Sequence, residues 1–405
     1  MKRMQSWRWV PAALLLLAAS GRTARAADLL IQSFDGTGRL TFNASNSATN
    51  YTVEWAASPA GPWTNTWAHL IDIPVPVGGV VTCSVPMCYR VVATPFDYIV
   101  VDLSGGTSAV NYAVTYLAAV PPGGWTDEHK TTKLVMRRIP ATSPDFTMGS
   151  PSGELGRDSD ETQHTVTLTK DFYIGVFEVT QRQWELVMGN KPSYFNNATY
   201  YQTRPVEQVS YYDIRENPNN SAISPNWPAT NAVHANSFMG KLRAKTGLTG
   251  FDLPTESQWE YACRAGTNTA LNSGYNLTST SQDARMDEVG RYYFNGKKNG
   301  YNHGSATNAG TAAAGSYLVN TWGLYDMHGN VWEWCLDWYG DYPGTASDPK
   351  GPTSGQYGSY RIFRGGGWGG NADGCRSASR FYYNPNYRGD AGDNGFRVAL
   401  APSGQ

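Results

Sequence analysis

Runs of basic residues are missing from this 405-residue chain, whose formal net charge is -1 and whose charged fraction is only 16%. That removes the electrostatic footprint on which nucleic-acid binding depends. Histidines are few (His69, His129, His164, His234, His303 and His328) and no two are spaced i, i+4, which argues against a histidine-built metal centre. Beyond Ala26 no apolar run approaches the length of a membrane span. The five cysteines, Cys83, Cys88, Cys263, Cys335 and Cys375, are an odd count, so at least one stays unpaired.

What is abundant is aromatic and flexible: 14 Trp, 25 Tyr and 43 Gly describe a loop-rich chain, more strand and irregular than helical. The length accommodates two or three domains with a full core. Residues 1–26 read as a secretory leader, with Lys2, Arg3 and Arg8, the apolar run Val10 to Ala19, and Ala24-Arg25-Ala26 as a cleavage site. A secreted or periplasmic chain can oxidise its thiols. From 28 to 96 the period is two (Leu40/Phe42/Ala44, Tyr51/Val53/Trp55, Tyr89/Val91/Ala93), which predicts a small all-β sandwich, loosely similar to fibronectin type III or immunoglobulin-like modules. Cys83 and Cys88 flank a short turn there, and a local disulfide is the expected use. Residues 97–132 are expected to be a connector whose strand-like run Tyr98 to Val101 can join the next domain.

Three tryptophans, three carboxylates and an amide crowd the stretch Asp326-Met327-His328-Gly329-Asn330-Val331-Trp332-Glu333-Trp334-Cys335-Leu336-Asp337-Trp338. Asp326, the carbonyls near Gly329 and Val331, and Glu333 are hard oxygen donors that suit calcium. The competing reading is that the carboxylates cap turns and the rings fill a core.

Elsewhere local signals are plain. Thr180 to Gln183 is a capping box before a helix ending at Gly189, and Thr255 to Gln258 is a second, ending near Gly266. Thr230 to Thr246 is expected to be helical as well, with Phe238, Met239 and Leu242 on one face. Asp213 to Pro228 reads as a surface insertion. Ala270 to Gly315 is a long polar stretch of the kind that is functional or ion-ordered.

Seven segments then fall in one order: Phe146-Thr147-Met148-Gly149-Ser150, Phe177-Glu178-Val179-Thr180, Arg204 to Ser210, Leu253 to Tyr261, Gly323 to Trp334, Arg364-Gly365-Gly366-Gly367-Trp368 and Gly395-Phe396-Arg397-Val398. Over residues 133–401 the chain resembles the formylglycine-generating enzyme, or sulfatase-modifying factor, family. The resemblance implies an α+β, C-type-lectin-like fold with low regular secondary structure, held by calcium. It places calcium ligands at Asp326, Gly329, Val331 and Glu333, the glycine and valine through their carbonyls, and a second calcium within about Gly290 to Thr311.

In the catalytic members of that family two cysteine thiolates hold copper(I), and a sulfatase cysteine becomes formylglycine. Here Gly370 stands at the first thiolate position and Cys375 alone can match the second, so the pair is incomplete and copper is not expected. The resemblance also implies a bridge from Cys263 to Cys375, worth about 3–5 kcal/mol in a loop-entropy model, leaving Cys335 as a free buried thiol. Two functions follow. One is an exported, non-catalytic, calcium-stabilised module binding protein or glycan on Asn371 to Asp393 and Ala270 to Gly315, with Tyr382, Tyr383 and Tyr387 able to stack on a ligand. The other is a formylglycine-generating oxidase acting on a sulfatase, with Cys375 at its centre.

Overall fold

The computed structural model describes residues 31–34, 40–42, 49–56, 88–141, 145–296, 310–389 and 392–401. The chain divides into two compact units, Met1–Phe96 and Asp97–Gln405. In the first, strand Ile31–Phe34 pairs antiparallel with Leu40–Phe42, and Thr49–Ala56 pairs antiparallel with Cys88–Pro95. Among the described residues these two pairs are all the sheet this unit has, and the expected packing of one sheet on another goes beyond them. The leader, Cys83 and the Cys88 side chain lie outside the described residues.

The second unit is α+β. Its largest sheet runs Phe251–Asp252, Ala399–Leu400, Phe172–Gly175, Lys133–Ile139, Tyr98–Asp102, Ala113–Leu117, every neighbour antiparallel. Tyr98 to Val101 is an unbroken buried run because both faces of its strand are covered. Ile99 and Val101 pack with Trp184 and Val187, while Tyr98 and Val100 pack with Val176 and Phe177. The strands of 97–132 therefore belong to this sheet, and the fold begins well before residue 133.

A second sheet, ordered Arg380–Tyr383, Arg361–Arg364, Trp332–Trp338, Asn394–Gly395, carries the Trp-rich stretch. Side chains alternate across Trp332–Trp338 as strand geometry requires. Trp334 and Leu336 enter one core with Phe363, and Cys335 enters another with Trp259 and Ile362.

Both capping boxes form as expected. Thr180 accepts from the Gln183 amide, Gln183 returns a bond to Thr180, and helix Gln181–Met188 ends at Gly189 with φ +84°. Thr255 and Gln258 do the same for helix Glu256–Arg264, which ends on left-handed Ala265, one residue before Gly266. The third helix is shorter than expected, Phe238–Thr246, with Ser237 as its cap. Thr230 to Asn236 is not helical, because it folds back over the first turn: a Cβ on Gly240 would lie 2.0 Å from the His234 carbonyl oxygen. The Asp213 to Pro228 segment is not wholly surface either, since Arg215, Glu216 and Trp227 are buried.

Candidate functional site

Three buried carboxylates converge where the central sheet meets the Trp-rich strand. Glu178 leaves the end of strand Phe172–Gly175, Asp326 sits at φ +55°, and Glu333 faces inward from Trp332–Trp338. Gly329 turns the chain between them at φ +77°, and a Cβ there would lie 2.0 Å from the Arg291 carbonyl oxygen. One guanidinium answers the three acids: Arg397 Nη2 and Nε donate to Glu333 at 2.6 and 2.7 Å. Arg397 also reaches the carbonyls of Gly175, Tyr325 and Asp326. Trp259 Nε1 donates to Glu333 Oε2 at 2.7 Å. Glu178 accepts from Asn330 Nδ2 at 2.6 Å and from the Val331 amide at 3.3 Å.

Asp326 Oδ2 accepts from the Gly315 amide at 2.5 Å, and Oδ1 is buried with no partner. Burial, with Asp326 and Glu333 nearby, pushes Glu178 well above the usual carboxylate range. Burial raises Asp326 to about 6, against the pull of the Gly315 amide and Arg397. Three acids that outnumber the cations beside them, Arg397 and the Lys130 that acts on Asp326, with one oxygen orphaned, are the arrangement that a hard cation resolves. Glu333 Oε1 accepts a single bond, so it keeps a lone pair. These donors fit calcium only if main-chain carbonyls complete the shell, because no group of three or more His, Cys, Asp and Glu side chains among the described residues is spaced to hold a metal alone.

The loop matched to the copper pair is built otherwise. After strand Arg361–Arg364 the chain turns through Gly365 and Gly366 at φ +92° and +79°. A Cβ on Gly366 would lie 2.5 Å from Cys375 Sγ, so the thiol is packed onto the glycine. Gly370 has no side chain to offer, and its surroundings are open: a Cβ there would meet only the Gly367 carbonyl oxygen, at 3.4 Å. The residues present therefore do not fit a two-thiolate copper centre.

The expected Cys263 to Cys375 bridge is corrected by the structure, where Cys263, Cys335 and Cys375 are all free and buried. The residue facing Cys263 is Ser377, two positions further on, its Oγ 3.6 Å from the sulfur. His328 lies alongside, with Nε2 3.9 Å from Cys263 Sγ and Nδ1 donating to the Cys375 carbonyl at 2.7 Å. Nε2 accepts from the Asn272 amide, which assigns the neutral Nδ1–H tautomer. Burial lowers His328 to about 4 and raises Cys263 to about 12. Cys335 and Cys375 are pushed up by the same cause, so none of these thiols is poised as a thiolate.

Sequence reasoning missed the arginines that pin this loop. Arg364 pairs with Glu260 and lies 3.2 Å from Glu256. Arg380 binds Glu256 at 2.7 and 3.0 Å, and Arg376 binds Glu161 and Glu154. The available signal was arginine at inward strand positions, as in Arg361-Ile362-Phe363-Arg364. Glu178 was also missed as a member of the acidic cluster, although it stands in one of the ordered segments. On the outer face, Phe381, Tyr382 and Tyr383 are 45%, 38% and 37% exposed. Tyr383 stacks on Tyr387 at 3.6 Å. No helix among the described residues is long and apolar enough to cross a membrane.

Comparison with known proteins adds the lineage. The chain is 34% identical over 220 residues to the chaperone protein LppX of Paenibacillus barcinonensis, covering 50% of this chain and 71% of that protein. It is 27% identical to the formylglycine-generating enzyme of Mus musculus over 65% of this chain and 74% of that one. Among solved structures, variable protein 1 of Treponema denticola is 30% identical over 67% of this chain and 96% of its own, with a TM-score of 0.48. The family model of the sulfatase-modifying factor enzyme 1-like domain matches residues 130–402. On that match, which spans the seven ordered motifs, the chain belongs to the sulfatase-modifying factor, or formylglycine-generating enzyme, family.

Proposed function

We propose that this chain is an exported, non-catalytic member of its family, a C-type-lectin-like binding module that follows a small β-sandwich. Calcium serves as its structural ion, held by Asp326, the Gly329 and Val331 carbonyls and Glu333. The ligand is a protein or a glycan, taken on the surface from Asn371 to Asp393 with the loop from Ala270 to Gly315. One observation carries the reading: Gly370 has no sulfur, and the only cysteine near it in sequence, Cys375, has its thiol packed on Gly366 and away from solvent. Soft monovalent copper needs paired thiolates, and a buried neutral thiol beside a bare glycine supplies none.

A second reading is favoured by the kinship to a mouse formylglycine-generating enzyme. It makes the chain an oxidase that converts a sulfatase cysteine, through a centre these residues do not outline. Incubation of the full chain with a Cys-x-Pro-x-Arg peptide, copper and oxygen separates the two. The first reading expects the mass of the peptide cysteine to stay unchanged, and conversion to the aldehyde would replace it with the second.

A further inference from the structure

The outer strand of the four-stranded sheet, Arg380–Tyr383, carries aromatic surface that the core does not use. Tyr382 stacks on Tyr339 at 3.9 Å and 20°, with Tyr360 on its flank at 5.2 Å. Tyr357, 54% exposed, lies 5.8 Å from Tyr339 and extends the platform outward. Beside it stands a carboxylate held rigidly for no evident structural purpose. Asp341 Oδ2 accepts from Gln356 Nε2 and Tyr357 Oη, both at 2.8 Å, and the Asp341 amide donates to Gln356 Oε1 at 2.9 Å. Asp341, Gln356 and Tyr357 are all exposed, and Asp341 Oδ1 accepts no hydrogen bond from the described residues. Exposed groups gain little stability from such bonds, because water offers the same partners. What the clamp does achieve is to fix one free acceptor beside the exposed ring of Tyr357.

Resting on the reading of this chain as a binding module, we propose that the exposed rings of Tyr357 and Tyr382, backed by the part-buried Tyr339, bind a neutral glycan together with Asp341. The ring faces carry negative quadrupole charge, which attracts the weakly positive C–H face of a pyranose. Asp341 Oδ1 then accepts from a sugar hydroxyl, a charge-assisted bond whose geometry is set in advance. Charge selects against other ligands. The cation beneath the rings, Arg380, is buried and committed to Glu256, so an acidic sugar, a phosphate or an acidic peptide meets the Asp341 carboxylate without help from that guanidinium.

The test titrates the full chain with cellohexaose, xylohexaose, mannohexaose and chitohexaose, followed by calorimetry. At least one is expected to bind with a Kd below about 1 mM. Tyr357→Ala and Asp341→Ala are each expected to weaken that binding at least about tenfold. Tyr194→Ala, which removes an exposed ring elsewhere, leaves it unchanged, and all three variants keep the melting temperature of the parent. The proposal is overturned if no hexasaccharide binds in that range, if the platform variants bind like the parent, or if only a tyrosine- and proline-rich peptide binds. The peptide-cysteine assay on the same preparation keeps the two failures apart. Absent sugar binding with an unmodified peptide overturns the glycan alone, whereas oxidation of the peptide overturns the reading beneath it.

Discussion

On the proposed reading of calcium as structural ion, its removal is the perturbation to which the acidic cluster should respond most sharply. Glu178, Asp326 and Glu333 are essentially excluded from solvent, and Arg397, with Lys130 acting on Asp326, opposes them. Without an ion, Asp326 Oδ1 has no partner and the carboxylates repel one another. Linkage sets the size of the effect: free calcium a hundredfold above its Kd stabilises the folded chain by about 2.7 kcal/mol. For a domain of this size each kcal/mol moves the melting temperature by about 2–4 °C. Chelation with EGTA should therefore lower the transition by about 5–10 °C, and adding calcium back, but not magnesium at equal concentration, should restore it. Differential scanning calorimetry reads this directly. Asp326→Asn should remove most of the response, since it withdraws a charged donor and keeps the shape. An EGTA transition identical to the calcium one would refute the argument that these oxygens hold an ion.

Three further outcomes follow from buried groups. Arg364→Met leaves Glu256 and Glu260 short of a partner and frees the carbonyls of Ser377 and Ser379, so it should cost about 3–5 kcal/mol in urea unfolding. Asp337 is raised to about 7, first by burial and then by Glu256, so its contribution to stability is full below the unfolded value near 3.8 and is lost as pH rises through about 7. Stability measured against pH should fall across that window by up to about 1.4 kcal/mol per unit, and Asp337→Asn should flatten it. Peptide mapping of unreduced protein should find Cys263, Cys335 and Cys375 as thiols that alkylate only after unfolding, and a Cys263 to Cys375 disulfide would contradict the structure.

What was legible in the sequence was local. The Thr180 and Thr255 capping boxes depend on neighbours three residues away, and both form. The Tyr98 to Val101 run marks a strand covered on both sides, because four apolar residues in succession leave no wet face. Ordered motifs identified the family, but they could not say which side chains meet. Glu178 and Arg397 come from opposite ends of the domain, and only the sheet brings both to Glu333 and Asp326. The Cys263 partner failed by two positions: the short loop from Gly367 to Cys375 brings Ser377, not Cys375, against the sulfur. The first part of the Thr230 helix failed because the apolar face of Phe238, Met239 and Leu242 says nothing of a chain that doubles back over Gly240.

The claim on which all of this turns is that Gly370 and the buried Cys375 cannot hold copper. Titration of the anaerobic, reduced chain with copper(I) against a chelator of known affinity tests it most directly. The account predicts no stoichiometric uptake and no oxygen consumption when a thiol substrate is added. One copper held tightly per chain, with oxygen consumed in proportion to peptide cysteine, would contradict it.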